Sequence, residues 1–441
     1  MHQRVPNPIA LLPLLLFLAI FIGTGTWLTL QGVKFAFYQL PAPVAVLPAV
    51  ILALLLGKES FNQNLETFFK GIGDSNIMAM CLIYLLAGAF ATVAKATGGV
   101  DATVSLGLSL IPGWCLLPGL FLICAFIATA MGTSMGTIGA VAPVALGVAQ
   151  AAHIDPVLMA GTILSGAMFG DNLSIISDTT IAATRSQGCE MKDKFRENFK
   201  IAAPAALLVI LIYLTLGNVG DAPAPHGNPD LFKVMPYLLI LGLALAGVNV
   251  FVVLGLGILA AGMVGLFGGY SLSQFSKDIY QGFTGMQEIF LLSMLIGGLG
   301  ALMERQGGLA WVGDRIGALI RRFTRQHDGE QNEKAAELGI AGVVGLTNLC
   351  TANNTVAIIV AAKVSRDLAE LHGVTPRRAA SMLDIFSCVV QGLIPWGAQA
   401  LLLGSVFALS PIAVVSMSFY PMALAVSALA AVFIKHQLRR D

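Results

Sequence analysis

Between residues 169 and 180 the chain reads FGDNLSIISDTT, and here side chains able to hold a cation crowd together. Asp171, Asn172, Ser174, Ser177, Asp178, Thr179 and Thr180 offer carboxylate, amide and hydroxyl oxygens within a sequence otherwise made of apolar runs. Polar and ionisable groups at bilayer depth are costly, and they persist where they line a path for a substrate or ion. A stretch this polar, opened by a glycine, points to a helix interrupted inside the membrane, with main-chain groups left to meet a solute.

Three further polar centres lie between apolar half-helices: TSMGT at 133–137, TANNT at 351–355 and QGLIPWGAQ at 391–399. Breaking a helix turns the carbonyl end of one half and the amide end of the next toward the gap, with opposite dipole ends. Sodium is a hard cation satisfied by carbonyl, hydroxyl and carboxylate oxygens, and half-helix C-termini carrying Ser, Thr, Asn and Asp supply that set. Burial favours a carboxylate's proton, whereas a nearby cation favours its charged form, so H+ and Na+ compete for one group. Asp171 is the leading candidate for that competition. Asp178 is read as a second ion ligand or as the cap of the half-helix that SDTT begins. Asp384, a lone acid in SMLDIFSC, is read as ion-linked or paired with a polar neighbour. Thr133, Ser134 and Thr137 are candidate ligands in the first half. Thr351, Asn353, Asn354 and Thr355 are candidates in the second, where two adjacent amides at a hairpin tip demand partners. Na+ is expected at Asp171, Asp178, Asn353 and Asn354, and Gln391 completes the set. Trp396 is either a site neighbour or an interface aromatic. His153 and His372, each ahead of a Pro, are expected in solvated turns rather than as proton relays, and Lys95 and Glu304 are expected as interfacial charges. No cofactor is expected beyond Na+ and H+ as transported or coupling ions.

These centres need a frame of membrane spans. Apolar residues make up 56% of the 441 and charged residues 11%, against about 25% charged in a typical soluble domain. Such a chain cannot cover itself for water. A net charge of +1 gives no sign of nucleic acid. The six cysteines have no CxxC spacing and are expected as small buried hydrophobes. GxSxG, P-loop and HExxH motifs are absent, and no loop between apolar segments has room for a nucleotide domain. An enzyme or an ATP-driven pump is therefore not expected. The apolar run at 9–28 is read as a first span that is not cleaved.

The chain also repeats. LLAGAFATVAKATGGV at 85–100 lines up with MLIGGLGALMERQGGL at 294–309, setting Gly88 on Gly297 and Gly98-Gly99 on Gly307-Gly308. TSMGT lines up with TANNT, each followed by an apolar half-helix, a His and a Pro. Segments 185–200 and 314–327 and the terminal KHQLRR are basic, whereas 220–230 has acids and no Lys or Arg. The positive-inside rule puts the first three in the cytoplasm and the last outside. One arrangement satisfies every assignment: an all-α polytopic membrane protein of about ten transmembrane helices, each of ~20 residues. It adds two re-entrant hairpins, 116–152 and 338–371, and two broken helices, 155–186 and 379–404. An odd number of spans per half makes the repeats inverted in topology, 1–218 and 234–441, with an extracytoplasmic linker at 219–233. A multi-pass protein of the plasma (inner) membrane follows, with both termini cytoplasmic, lipid as its constant partner and a homodimer as a further expectation. Segment 308–326, apolar on one face and basic on the other, is read as lying along the cytoplasmic surface or as a solvated linker helix.

GTSMGTIGAVAPVALG followed by SGAMFGDNLSIISDTT resembles the NhaC-type sodium/proton antiporter family, part of a wider ion transporter superfamily of inverted-repeat secondary carriers. The resemblance runs over most of the chain, with TANNT and the stretch from Asp384 to QGLIPWG as its second-half signatures. It implies a carrier with two hairpins, two broken helices and a cation site. By motif that site carries over to Asp171, Asn172, Ser174, Ser177, Asp178 and Thr179, then to Asn353, Asn354, Thr355, Asp384 and Gln391. The family commonly reads GDNLSPISDTT, and Ile175 stands here in place of that Pro. Proteins resembling the family include cation antiporters, malate/lactate exchangers coupled to sodium and protons, and amino-acid carriers. Na+/H+ exchange is the leading expectation, and Na+- or H+-coupled transport of a small amino acid or monocarboxylate is the alternative. The lack of Arg at the centres argues against a dicarboxylate.

Overall fold

The computed structural model describes residues 5–33, 39–57, 59–110, 112–175, 177–217, 230–325 and 333–437. Most of the expected linker 219–233, the end of the basic segment 314–327 and the last basic residues therefore lie outside the described residues. Within them the chain is helical throughout, with no strand. In lipid a backbone has no water to bond, so each apolar run satisfies its own N–H and C=O groups by coiling.

The first ten helices are α1 (Leu12–Leu30), α2 (Ala42–Leu56), α3 (Phe61–Ile72), α4 (Ser75–Ala96), α5 (Gly99–Leu110), α6 (Leu116–Met131), α7 (Ser134–Ala151), α8 (Pro156–Leu173), α9 (Asp178–Gln187) and α10 (Met191–Leu216). There follow α11 (Leu231–Leu245), α12 (Val250–Phe267), α13 (Leu272–Gly285), α14 (Gln287–Arg305), α15 (Gly308–Arg325), α16 (Glu333–Thr351), α17 (Asn354–His372), α18 (Pro376–Gln391), α19 (Ala398–Phe407), a short α20 (Pro411–Ser416) and α21 (Phe419–Gln437). Among the described residues seven helices are long and apolar enough to cross a membrane: α1, α4, α6, α7, α10, α12 and α14. α2, α11, α19 and most of α21 are shorter apolar helices. The protein is a multi-pass membrane protein.

Small residues set how closely the helices approach. In GAMFG of α8, a Cβ added at Gly166 would lie 2.4 Å from the Phe121 carbonyl oxygen, and one at Gly170 would lie 2.2 Å from that of Ala125. This G-x-x-x-G spacing puts both glycines on one face and lets α8 lie directly on α6. α3 packs on α14, where a Cβ at Gly71 would lie 2.6 Å from Gly297 O, and α13 packs on α4, where one at Gly282 would lie 2.5 Å from Gly88 O. α4 and α14 also touch each other. Cys81 Sγ donates to Phe290 O (3.8 Å), and Tyr84 OH shares a hydrogen bond with Ser293 Oγ (3.1 Å). Both pairs are separated by 209 positions, the separation that sets Gly88 on Gly297.

The 308–326 segment forms α15, which packs on α16 and on the turn Pro8–Leu11, with the Arg315 guanidinium 5.5 Å above the Trp311 ring. All six cysteines are free, four of them buried.

Candidate functional site

α8 stops at Leu173 and α9 starts at Asp178, with Ser174 and Ser177 in extended backbone between them. A helix end leaves its last carbonyls without partners, and here side chains supply them. Thr129 Oγ1 donates to Gly170 O (3.2 Å), and Lys194 Nζ and Asn198 Nδ2 donate to Asn172 O (2.8 and 3.1 Å). In the gap itself Thr180 Oγ1 donates to Ser174 O (2.6 Å), and Ser174 Oγ donates to Thr129 O (3.0 Å). Ser177 caps α9 by accepting from Thr180 N (3.3 Å), and its hydroxyl also meets Thr179 Oγ1 (3.0 Å).

Two buried carboxylates flank this break, and they differ in their partners. Asp384 of α18 is 1% exposed, and its Oδ2 accepts from Asn198 Nδ2 (2.7 Å), Lys194 Nζ (2.8 Å) and Asn172 Nδ2 (3.0 Å). Lys194 is 0% exposed and also donates to Thr180 Oγ1 (2.7 Å). Tyr420 OH donates to Asn172 Oδ1 (3.3 Å), which holds that amide with its NH2 toward Asp384. Asp171 is 6% exposed and accepts the Ser134 hydroxyl on Oδ2 (2.8 Å). Among the described residues it forms no ion pair with a Lys or Arg.

From Ser134 the hydrogen bonds continue across the molecule. Gln399 Nε2 donates to Ser134 Oγ (3.1 Å), and Gln391 Nε2 donates to Gln399 Oε1 (2.8 Å) and to Ala352 O (3.2 Å). One chain thus ties the α8–α9 break to the α6–α7 tip, the α18–α19 break and the α16–α17 tip. The two tips are built alike. Each has a left-handed residue, Gly132 (φ 70°) or Ala352 (φ 51°), followed by a polar N-cap. Thr133 accepts from Gly136 N (3.4 Å), and Asn353 Oδ1 accepts from Val356 N (3.1 Å).

Two cavities reach into this frame. One of ≈ 460 Å³ has Glu66, Asp74, Thr351 and Asn353 among its lining residues. The other, ≈ 1170 Å³, includes Lys95, Asp101, Gln150 and Asp278. The start of α4 faces the first and its last turns face the second, so the two lie at opposite ends of one helix.

Of the residues expected from sequence, Ser134, Asp171, Asn172, Ser174, Asp384 and Gln391 meet in this network. Ser177 and Thr179 serve the start of α9 beside it. Asp178 is exposed in the first turn of α9, where the helix dipole suits a carboxylate. Thr137 donates to Thr133 O (3.0 Å), and Thr351 donates to Asn353 O (3.2 Å), each within its own tip. Asn354 Oδ1 accepts from Thr355 N (3.1 Å), and both residues are half-buried. Asp171, Asp178, Asn353 and Asn354 therefore do not gather into one hydrogen-bonded group. Trp396 is buried, donating to Leu349 O (3.2 Å). His153 is exposed as expected, but His372 is buried at the end of α17 rather than solvated.

Sequence reasoning missed Lys194, Asn198 and Tyr420, and it placed Gln399 in the polar centre 391–399 without giving it a role. Lys194 belongs to the basic segment 185–200, which reads as a solvated cytoplasmic stretch but contains the first turns of α10. A signal was available: Lys194, Asn198, Ile201, Ala202 and Ala205 recur at helical spacing, and all are buried.

Interrupted helices meeting at buried carboxylates within a multi-pass helical array define a secondary active carrier, not an enzyme. The chain is similar to the NhaC-type Na+/H+ antiporters. Residues 7–218 match the Na+/H+ antiporter family model. The chain is 26% identical to the Na+/H+ antiporter NhaC of Bacillus subtilis over 79% of its own length and 81% of that protein's. It is 24% identical to the malate-2H+/Na+-lactate antiporter of the same organism, over 89% of each chain. It is 22% identical to the arginine/ornithine antiporter ArcD of Halobacterium salinarum, over 89% of its own length and 86% of that protein's.

Proposed function

We propose that the protein exchanges Na+ for H+ across the membrane, with Asp171 as the group that both ions occupy in turn. The observation that carries this reading is the contrast between the two carboxylates. Asp384 has an ammonium and two amides directly on it, whereas Asp171 is held by Ser134 alone and feels Lys194 only at a distance, with no ion pair of its own among the described residues. A buried carboxylate with no ion pair takes up either a proton or a metal cation. The Ser134 hydroxyl puts a second oxygen suited to Na+ beside the carboxylate, and the chain through Gln399 and Gln391 would report occupancy to the second tip.

The same proposal includes a plasma (inner) membrane location, cytoplasmic termini and two inverted repeats, 1–218 and 234–441. Support for the repeats comes from the α4–α14 seam. Positions separated by 209 residues touch each other there, and Gly71 on Gly297 is answered by Gly282 on Gly88. Such reciprocity is the pattern of a two-fold, self-complementary interface.

The test uses purified protein in sealed liposomes containing a pH dye, with an imposed Na+ gradient and the voltage clamped. Proton movement that follows Na+ with no organic solute present is the expected result. The malate/lactate and arginine/ornithine relatives favour one second reading, coupled transport of a small carboxylate or amino acid. A silent dye, with Na+-driven uptake of a labelled amino acid or monocarboxylate, would replace the first reading by the second.

A further inference from the structure

Lys194 is the one positive charge in the buried network, and its surroundings resemble a cation site. Its ammonium meets three oxygens of three kinds from three helical segments: the Asp384 carboxylate on α18 (2.8 Å), the Asn172 carbonyl at the end of α8 (2.8 Å) and the Thr180 hydroxyl on α9 (2.7 Å). Carboxylate, carbonyl and hydroxyl are the ligands a hard monovalent cation takes. The helix break is what exposes that carbonyl, so the cage is built from the feature that makes the site. Asn172 Nδ2 and Asn198 Nδ2 also donate to the same Asp384 oxygen and fix it in place (3.0 and 2.7 Å). The Asn198 Oδ1 is buried beside them without a partner.

We infer that Lys194 is a tethered cation filling a second cation site, the oxygen cage of Asp384, so that the centre takes one mobile cation fewer than its carboxylates provide for. Two carboxylates and one ammonium leave one net negative charge in the network. One Na+ or one H+ at Asp171 cancels it. An ion pair that merely holds α10 against α18 would have the same geometry but would not set this count.

The inference rests on cation transport only where movement is measured, so the first readout is binding. Radiolabelled Na+ would be counted at saturation on the purified full-length wild type, on Lys194→Gln and on the double variant Lys194→Gln/Asp384→Asn. Lys194→Gln should hold one Na+ more per chain than wild type, and the double variant should return to the wild-type count. In liposomes exchange by Lys194→Gln should depend more steeply on Na+ than exchange by wild type, because two sites must fill instead of one. An unchanged count in folded Lys194→Gln overturns the inference. Should that variant fail to fold, Asp384→Asn carries the test: its freed ammonium should turn to Asp171 and lower the count by one, and an unchanged count again overturns it. Wild type that moves no protons with Na+ defeats the exchange reading alone, because the Na+ counts still decide this one.

Discussion

An amide in place of a carboxylate keeps the shape and loses the charge, which makes Asp171→Asn the sharpest substitution at residue scale. Asn at 171 can still accept the Ser134 hydroxyl, so the variant should insert and run as a folded monodisperse species while its Na+-driven proton flux disappears. Normal flux would remove Asp171 from the mechanism. Competition at one carboxylate also fixes a pH dependence. Below the group's folded-state pKa each unit of acidity should weaken apparent Na+ affinity about tenfold, because one proton must leave for each Na+ bound. Initial rates against Na+ at several pH values would show it. Removing Lys194 without compensation differs in kind: in Na+-free buffer Lys194→Ala leaves Asp384 buried and uncompensated, at a cost of about 3–5 kcal/mol, measurable as earlier thermal aggregation in detergent. Asp171 and Asn172 were legible in the sequence because a polar pair in an apolar run is a local signal. Lys194 was not, because a lysine in a basic segment is ordinary until α10 turns it onto Asp384, 190 positions away.

The helix breaks were visible for the same local reason. GDNLS and QGLIPWG interrupt apolar runs with glycine, proline and clustered oxygens, and breaks stand at 174–177 and 392–397. What could not be read is which helix lies on which, since that depends on surfaces distant in sequence. α8 on α6 is the case in point, a contact set by Gly166 and Gly170. A side chain at 170 would meet main chain, with Ala125 O at 2.2 Å and Thr129 N at 2.9 Å. Neither can step aside, so Gly170→Val should cost ~3 kcal/mol or more and pull the end of α8 away from Thr129. The expected readout is loss of the folded peak in size-exclusion chromatography, whereas Gly242→Ala, in open space, should leave it intact.

At the scale of the molecule, the two cavities at opposite ends of α4 become an orientation experiment. A helix of 22 residues is about 33 Å long, the thickness of a bilayer's hydrocarbon core. With all six native cysteines replaced, single cysteines at Glu66 and Asp101 should react with a membrane-impermeant thiol reagent from opposite sides of sealed vesicles, Glu66 from the cytoplasmic side. Labelling of both from one side would overturn the proposed topology. The repeated order of elements was legible in aligned glycines and in TSMGT against TANNT. The reciprocal seam between α4 and α14 was not, because an alignment relates the halves without saying that equivalent residues touch.

The left-handed residue at the second tip has an energetic consequence. Gly132 adopts its φ of 70° without penalty, but Ala352 holds 51° against a clash with its own Cβ, at a cost of about 1–2 kcal/mol. The Gln391 amide on its carbonyl (3.2 Å) helps to keep it there. The two tips thus share a shape at different tension, like a relaxed and a wound spring. Any rearrangement that lets residue 352 return to ordinary backbone angles runs downhill locally, so a single methyl group tilts the resting balance toward motion at the second tip rather than the first.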